Sequence, residues 1–151
     1  MNPNDLDSLY SNTILDHCRS PRNHEELDNP DISGTAVNPF CGDEVVLQIE
    51  LDGERVSKVG IQGVGCSINR ASSSMLSEAV FNKSLDDIGT ISNLFRDMIT
   101  GTISSKQETE KLKDLKLIAN VAEYPARMKC ALLAWSALEE AIDDYHKRSN
   151  T

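Results

Sequence analysis

A chain of 151 residues, 26% charged and 39% hydrophobic, has the composition of a globular protein large enough to bury its own core. Its net charge of −9 argues against nucleic acid and anionic membrane surfaces as partners, and is compatible with a protein partner carrying a basic patch. The amino terminus lacks a signal pattern, no apolar run is long enough to span a membrane, and four scattered cysteines suit metal binding or catalysis in the cytoplasm better than a disulfide framework.

Residues 5–18 predict an amphipathic helix. Leu6, Leu9, Tyr10, Thr13, Ile14 and His17 recur at helical spacing, with Asn4 or Asp5 as the cap. It should end before Ser20-Pro21, because proline disfavours helix in the residue before it. His17, near that end, reads as a hydrogen-bonded histidine rather than a ligand. Residues 19–32 are polar and read as a loop, and Gly34–Val37 as a short strand.

The stretch Asn38-Pro39-Phe40-Cys41-Gly42-Asp43-Glu44 follows. Gly42 has no Cβ and accepts positive φ, which lets Cys41 and Asp43 turn toward a common point. A thiol and a carboxylate converging there make half a metal site or an activated nucleophile. The alternative is a strand-entry turn, with Asp43 bonding its own backbone and Cys41 simply buried. Val45, Leu47, Ile49 and Leu51 then alternate with Val46, Gln48 and Glu50, the pattern of a strand buried on one face. Asp52-Gly53 signals a hairpin, and the return strand runs from about Arg55 to Gln62 with Val59 and Ile61 on one face. Together these predict a small antiparallel sheet of three strands.

Gly63-Val64-Gly65-Cys66 ends the return strand and opens a helix over Ser67–Phe81 with Ile68, Ala71, Met75 and Ala79 as its stripe. A phosphate loop is a weak reading here, since the third glycine and following strand of a dinucleotide fold are missing. Cys66 instead falls in the first turn, where the positive end of the helix macrodipole favours an anionic sulfur. Ser84 and Asp87 form a capping pair for a helix ending at Gly101. Residues 102–110 read as a polar loop, and Leu112, Leu115, Ile118, Ala119 and Ala122 as a further short helix. Pro125 opens the last helix, which runs to about Lys147 with Cys130, Leu133, Ala134, Ala137, Leu138 and Ala141 on its apolar face. Without repeats or linkers, residues 1–151 are expected to form one α+β domain, a three-stranded antiparallel sheet packed against several helices.

Cys130 taken alone is a small buried hydrophobe. Taken with the others, it belongs to a set. Cys41 and Cys66 flank the same hairpin from its open end, and a last helix crossing that end brings Cys130 to them and to Asp43. Three thiolates and one carboxylate are a tetrahedral set suited to zinc. Around a divalent cation they leave a net −2, which Arg127 and Lys129 are placed to offset, the alternative for both being a solvated helix face. A cysteine released from such a site is a ready nucleophile.

These motifs also carry a resemblance. Asn38-Pro39 through Cys41-Gly42-Asp43, Gly63 to Cys66 with Ser67-Ile68 and Ala71-Ser72, and Pro125-Ala126-Arg127 to Cys130 closely resemble the SufU-type proteins of iron–sulfur cluster assembly, within the IscU-like superfamily. The likeness extends from Tyr10, Asp16-His17 and Ser20-Pro21-Arg22-Asn23 to Trp135-Ser136-Ala137-Leu138. It implies the IscU-like fold, zinc held by Cys41, Asp43, Cys66 and Cys130, and Cys41 as acceptor of persulfide sulfur. The donor it implies is a SufS-like cysteine desulfurase whose histidine takes over a zinc position and frees Cys41. The pyridoxal phosphate belongs to that partner, and the sulfur passes on to a downstream cluster scaffold. Lys129 stands where IscU-type scaffolds carry histidine, and Ala122-Glu123-Tyr124-Pro125-Ala126 replaces their chaperone-docking segment. Gly101–Glu123 resembles the insertion of the SufU branch. Cys18 and Arg70 depart from the family pattern and receive no role.

Three functions compete: a zinc-dependent sulfurtransferase, a scaffold that builds a transient iron–sulfur cluster on the same four ligands, and a binding module whose zinc is purely structural. A thiol redox enzyme is disfavoured for want of a Cys-x-x-Cys.

Overall fold

The computed structural model describes residues 12–39, 42–102 and 110–149, with the backbone alone for 120–123. Helix α1 spans Asn12–Arg19, and the strands are β1 (Ile32–Asn38), β2 (Asp43–Asp52) and β3 (Arg55–Val64). Helices α2 (Ser67–Val80) and α3 (Leu85–Thr100), a 3-10 segment (Lys113–Glu123) and helix α4 (Pro125–Ser149) follow. The first part of the helix expected over residues 5–18, and most of the expected loop 102–110, lie outside the described residues.

The sheet is the expected antiparallel meander, in the order β1-β2-β3. Cross-strand pairing puts Ile32, Ile49 and Val59 in one row, Gly34, Leu47 and Ile61 in the next, and Ala36, Val45 and Gly63 in a third. All three rows point at the helices, and Val45, Leu47 and Ile49 are fully buried. Leu51 is only half-buried, because the β2–β3 register shifts between Glu50 and Leu51 and takes it out of the alternation. The hairpin loop is Gly53-Glu54, closed by the pair Asp52 and Arg55, one residue later than the sequence signal. Gly53 takes φ +65 while Glu54 does not, the type II′ arrangement that requires glycine first.

The outer edge of β3 is covered by the loop that precedes β1. Ile61 N–H donates to the Asn23 carbonyl at 2.8 Å, and Gln62 Nε2 to that of His24 at 2.7 Å. A Cβ on Gly60 would collide with the Glu25 carbonyl, so glycine there is what lets the loop lie flat on the strand.

Helix α2 is the centre of the molecule, packed against α1, β3 and α4. Ser72, Ser73, Ser74 and Ser77 are all buried, and their small side chains allow this close approach. Each finds a partner: Ser72 Oγ donates to the Ala131 carbonyl at 2.7 Å and accepts from Trp135 Nε1 at 3.2 Å. The Trp135 ring stacks on Phe95 of α3 with centroids 4.5 Å apart, tying three helices at one point. Helix α3 is capped as expected, with Ser84 Oγ accepting from Asp87 N–H and Gly101 left-handed at φ +79.

Two elements differ in detail from expectation. The segment after Leu112 is 3-10 rather than α-helix. Leu112, Leu115 and Ile118, all buried, recur every three residues and so stack on one face of a helix with three residues per turn. On α4, Ala131 and Trp135 are also buried and Leu133 only half so, since α4 is covered by the sheet, α2 and α3 together.

Candidate metal centre

Asp43 is the first residue on the apolar face of β2, where Val45, Leu47 and Ile49 follow it, and is 1% exposed. A carboxylate so placed needs partners. Oδ1 accepts from Cys66 N–H at 3.0 Å, whereas Oδ2 is buried with no hydrogen-bond partner among the described residues. A buried carboxylate oxygen without a partner costs several kilocalories, and a cation is a group that could meet it.

The surroundings supply the other donors. Cys66 is the N-cap of α2 (φ −69, ψ 154), one residue before the expected first turn, and its side chain makes no capping bond. Its sulfur is therefore left to face Asp43. Cys130, 7% exposed on α4, comes in from across the sheet end. The ligand atoms of Asp43, Cys66 and Cys130 all lie within 4.8 Å of one another. Burial, then the Cys66 thiol and the Asp43 carboxylate beside it, push the Cys130 thiol far above its ordinary range. Such a set holds together as anions only around a positive charge.

Cys41, the fourth member of the predicted set, lies outside the described residues. Its neighbour Gly42 takes positive φ (+73), as the sequence reading requires, and its N–H donates to the Asn38 carbonyl at 2.9 Å. Asn38 and Asp43 are paired across β1 and β2, so both ends of the stretch that holds Cys41 belong to the sheet.

Other residues hold this arrangement, and sequence reasoning passed them by. Gly65 takes φ +122, and any Cβ there would overlap Asp43 Oδ1. Asn69, fully buried, donates through Nδ2 to the Val64 carbonyl at 3.1 Å and fastens the start of α2 to the end of β3. Neither role has a one-residue signature, although the Gly-x-Gly before Cys66 marks the place. Cys18 is buried and donates to the Ser67 carbonyl at 3.0 Å, outside the donor trio. His17 is satisfied by Ser74 and Glu78. Arg127 is half-buried and Lys129 exposed, on the turn of α4 that carries Cys130.

Residues 9–151 match the NifU-like N terminal domain. The zinc-dependent sulfurtransferase SufU of Bacillus subtilis (strain 168) is 39% identical over 137 residues, which cover 91% of this chain and 91% of that protein. The iron–sulfur cluster assembly scaffold protein IscU of Streptococcus pyogenes serotype M1 is 36% identical over 91% of this chain and 84% of its own length. Among solved structures, a Fervidobacterium islandicum AW-1 protein described as an iron–sulfur cluster assembly scaffold for the SUF system superposes with a TM-score of 0.81 at 29% identity, covering 89% of this chain and 97% of that one. The N-terminal part of a NifU-like protein from Brucella abortus shares the fold, with a TM-score of 0.84 at 21% identity over 95% of this chain and 98% of that one.

Proposed function

Because the chain belongs to the NifU-like N-terminal domain family of iron–sulfur cluster assembly proteins, we propose that it is a zinc-dependent sulfurtransferase, relaying persulfide sulfur from a cysteine desulfurase to a downstream scaffold in the cytoplasm. The observation that carries this reading is the buried, unpartnered Asp43 Oδ2 facing two cysteines, next to a glycine turn that adjoins a third. Asp43, Cys66 and Cys130 would hold the ion with Cys41 as fourth donor. Zinc, when bound, supplies a charge that keeps its cysteine donors as thiolates at neutral pH.

The chain's own part is a single displacement. The Cys41 thiolate attacks the terminal sulfur of a cysteine persulfide on the partner. The partner's S–S bond breaks, its cysteine leaves as thiolate, and Cys41 becomes the persulfide, with no net oxidation. Asp43 is held for this by the Cys66 N–H, while Gly42 leaves the side chain of the turn's exposed residue without bulk. On the solvent face at the same sheet end, Val37 and Val64 flank Glu44 in one cross-strand row and are 56% and 62% exposed. Exposed apolar residues beside a donor set favour sulfur delivered by a docked protein over a free small molecule.

The scaffold reading uses the same donors and has the printed role of several relatives behind it. One experiment separates the two. The zinc-loaded chain is incubated with a cysteine desulfurase, cysteine and pyridoxal phosphate, and its intact mass is measured against Cys41→Ser. One reducible extra sulfur on the wild type alone, with faster desulfurase turnover, is the expected result. Absence of both, with a desalting-stable coloured cluster after iron and sulfide are added, would favour the scaffold.

A further inference from the structure

The C-terminal end of α2 carries a second feature, about 20 Å along the helix from Cys66 at 1.5 Å per residue. There the 3-10 segment leans on α2 and leaves a cleft of about 350 Å³. Its floor is apolar, made by Met75 of α2, Ile91 of α3, and Leu112 and Leu115. Its rim carries Lys83, Lys111 and Lys113, and among the described residues none of these ammonium groups has an ion-pair or hydrogen-bond partner. Three unpaired lysines around one apolar cleft stand out in a chain of net charge −9.

Acidic groups line it too. Glu78, which meets His17 Nε2 at 3.3 Å, and Asp114 are the opposing charges, so the three lysines outnumber them by one. Lys113 takes φ +53, a left-handed conformation that disfavours side chains with a Cβ, at the start of the 3-10 segment. Strain of this kind persists where the surroundings fix it, and here it fixes a lysine on the rim. Arg55 of β3 donates to the Asn82 carbonyl at 3.0 Å, in the connection from α2 to α3 that carries Lys83.

Phe81 decides the shape. It closes α2, is 53% exposed, and stands between this cleft and a neighbouring hollow of about 400 Å³ that is lined by Leu27, Val59 and Lys58 among others. The two hollows share the ring and form one elongated surface, with Lys58 and Glu25 both in the second half. A short ligand would fill one hollow and leave the ring wet. An extended chain covers both.

We propose that this surface docks an acidic segment of a partner protein whose apolar side chains enter the two hollows on either side of Phe81. The charge supports that occupant: four lysines against three carboxylates make this surface locally positive in a chain of net charge −9, which favours an acidic partner here. Single exposed ion pairs add little, so the apolar anchors supply most of the affinity and the lysines the selectivity.

The test is an NMR and fluorescence-anisotropy titration of the zinc-loaded full chain. The probe is a hexapeptide library with Asp or Glu at alternate positions and Leu, Phe or Val between them. Amide shifts are expected at Phe81, Lys83, Leu112 and Lys113, with binding weakened on raising the salt toward 1 M. Lys83→Glu/Lys113→Glu, and separately Phe81→Ala, should each weaken binding about tenfold while the melting temperature holds. Lys116→Glu/Lys147→Glu, whose lysines already have acidic partners, should leave it unchanged. Equal loss in that control, shifts spread over the whole surface, or no binding at millimolar peptide would overturn the proposal. So would dodecanoate producing the cleft shifts where the peptides do not, which would make the cleft a small-anion site. The desulfurase assay plays no part, so either result leaves the relay reading untouched.

Discussion

At Asp43 the alternation of β2 calls for an apolar side chain, and a carboxylate stands there instead. The chain accommodates it by giving up a side chain elsewhere: Gly65 lies against Oδ1, in a conformation (φ +122) that other residues rarely adopt. Gly65→Ala therefore asks for two things at once, a strained backbone and a displaced carboxylate. The expected cost is about 1–3 kcal/mol of stability, and the displaced Asp43 should lose its hold on a metal. Zinc per chain, measured by elemental analysis after dialysis, should fall well below the wild type. Melting both proteins in chelator then isolates the strain, which should persist without metal. Wild-type zinc content in Gly65→Ala would mean that the Asp43 oxygen is not a ligand.

At the scale of elements, α1 is fastened to α2 through a relay that begins in the loop. Arg22 N–H donates to Ser74 Oγ at 2.8 Å, so the Ser74 proton is free to reach His17 Nδ1 at 2.6 Å, and His17 Nε2–H faces Glu78. The neutral imidazole, accepting at Nδ1 and donating at Nε2, satisfies all of these partners. Burial, then the Arg22 guanidinium, lower the His17 pKa below its ordinary value of 6.5. The unfolded chain therefore binds the proton more readily than the folded one. Stability present above about pH 6.5 is lost as the pH falls from there through the lowered folded value, and levels off beneath it. Comparing melting temperatures at stepped pH for wild type and His17→Gln checks this, since the variant should fall less steeply across that window. Parallel curves would remove His17 from the acid response. This satisfied histidine was legible in the sequence from its place on an amphipathic face, as were the three strands and the caps of α3, because each rests on a local rule. The 3-10 segment was not, since Leu112, Leu115 and Ile118 suit an α-helix and a three-residue turn alike. Nor was the burial of Ala131 and Trp135, which depends on α4 being enclosed on several sides. The donor set falls between: its residue types were readable, but the approach of Cys130 depended on α4 crossing the sheet end, and the place of Gly65 on a φ that no single glycine announces.

At the scale of the molecule, the candidate metal centre joins the start of β2, the N-cap of α2 and the first turns of α4, elements also tied there by the bonds of Asn69 to Val64 and Ser72 to Ala131. The core lies elsewhere. Trp135, Phe95, Leu76, Ile99 and Leu138 are fully buried among α2, α3 and α4, away from the donors, and their packing owes nothing to an ion. A metal bound only by the folded state stabilises it by mass action, by about 4 kcal/mol at a thousandfold excess over its dissociation constant. At about 2–4 °C per kcal/mol for a chain of this size, loading with zinc should raise the melting temperature by roughly 8–16 °C. The chelated chain should still unfold in one cooperative step, because its core remains. Cys130→Ser should shrink the zinc-dependent rise while leaving the metal-free melt nearly in place. Calorimetry of both proteins with and without zinc decides the matter. Loss of cooperative unfolding on chelation would make the ion a structural pin, a poor choice for a site that must release a cysteine to accept sulfur. Identical melts with and without zinc would leave the buried Asp43 oxygen without its cation.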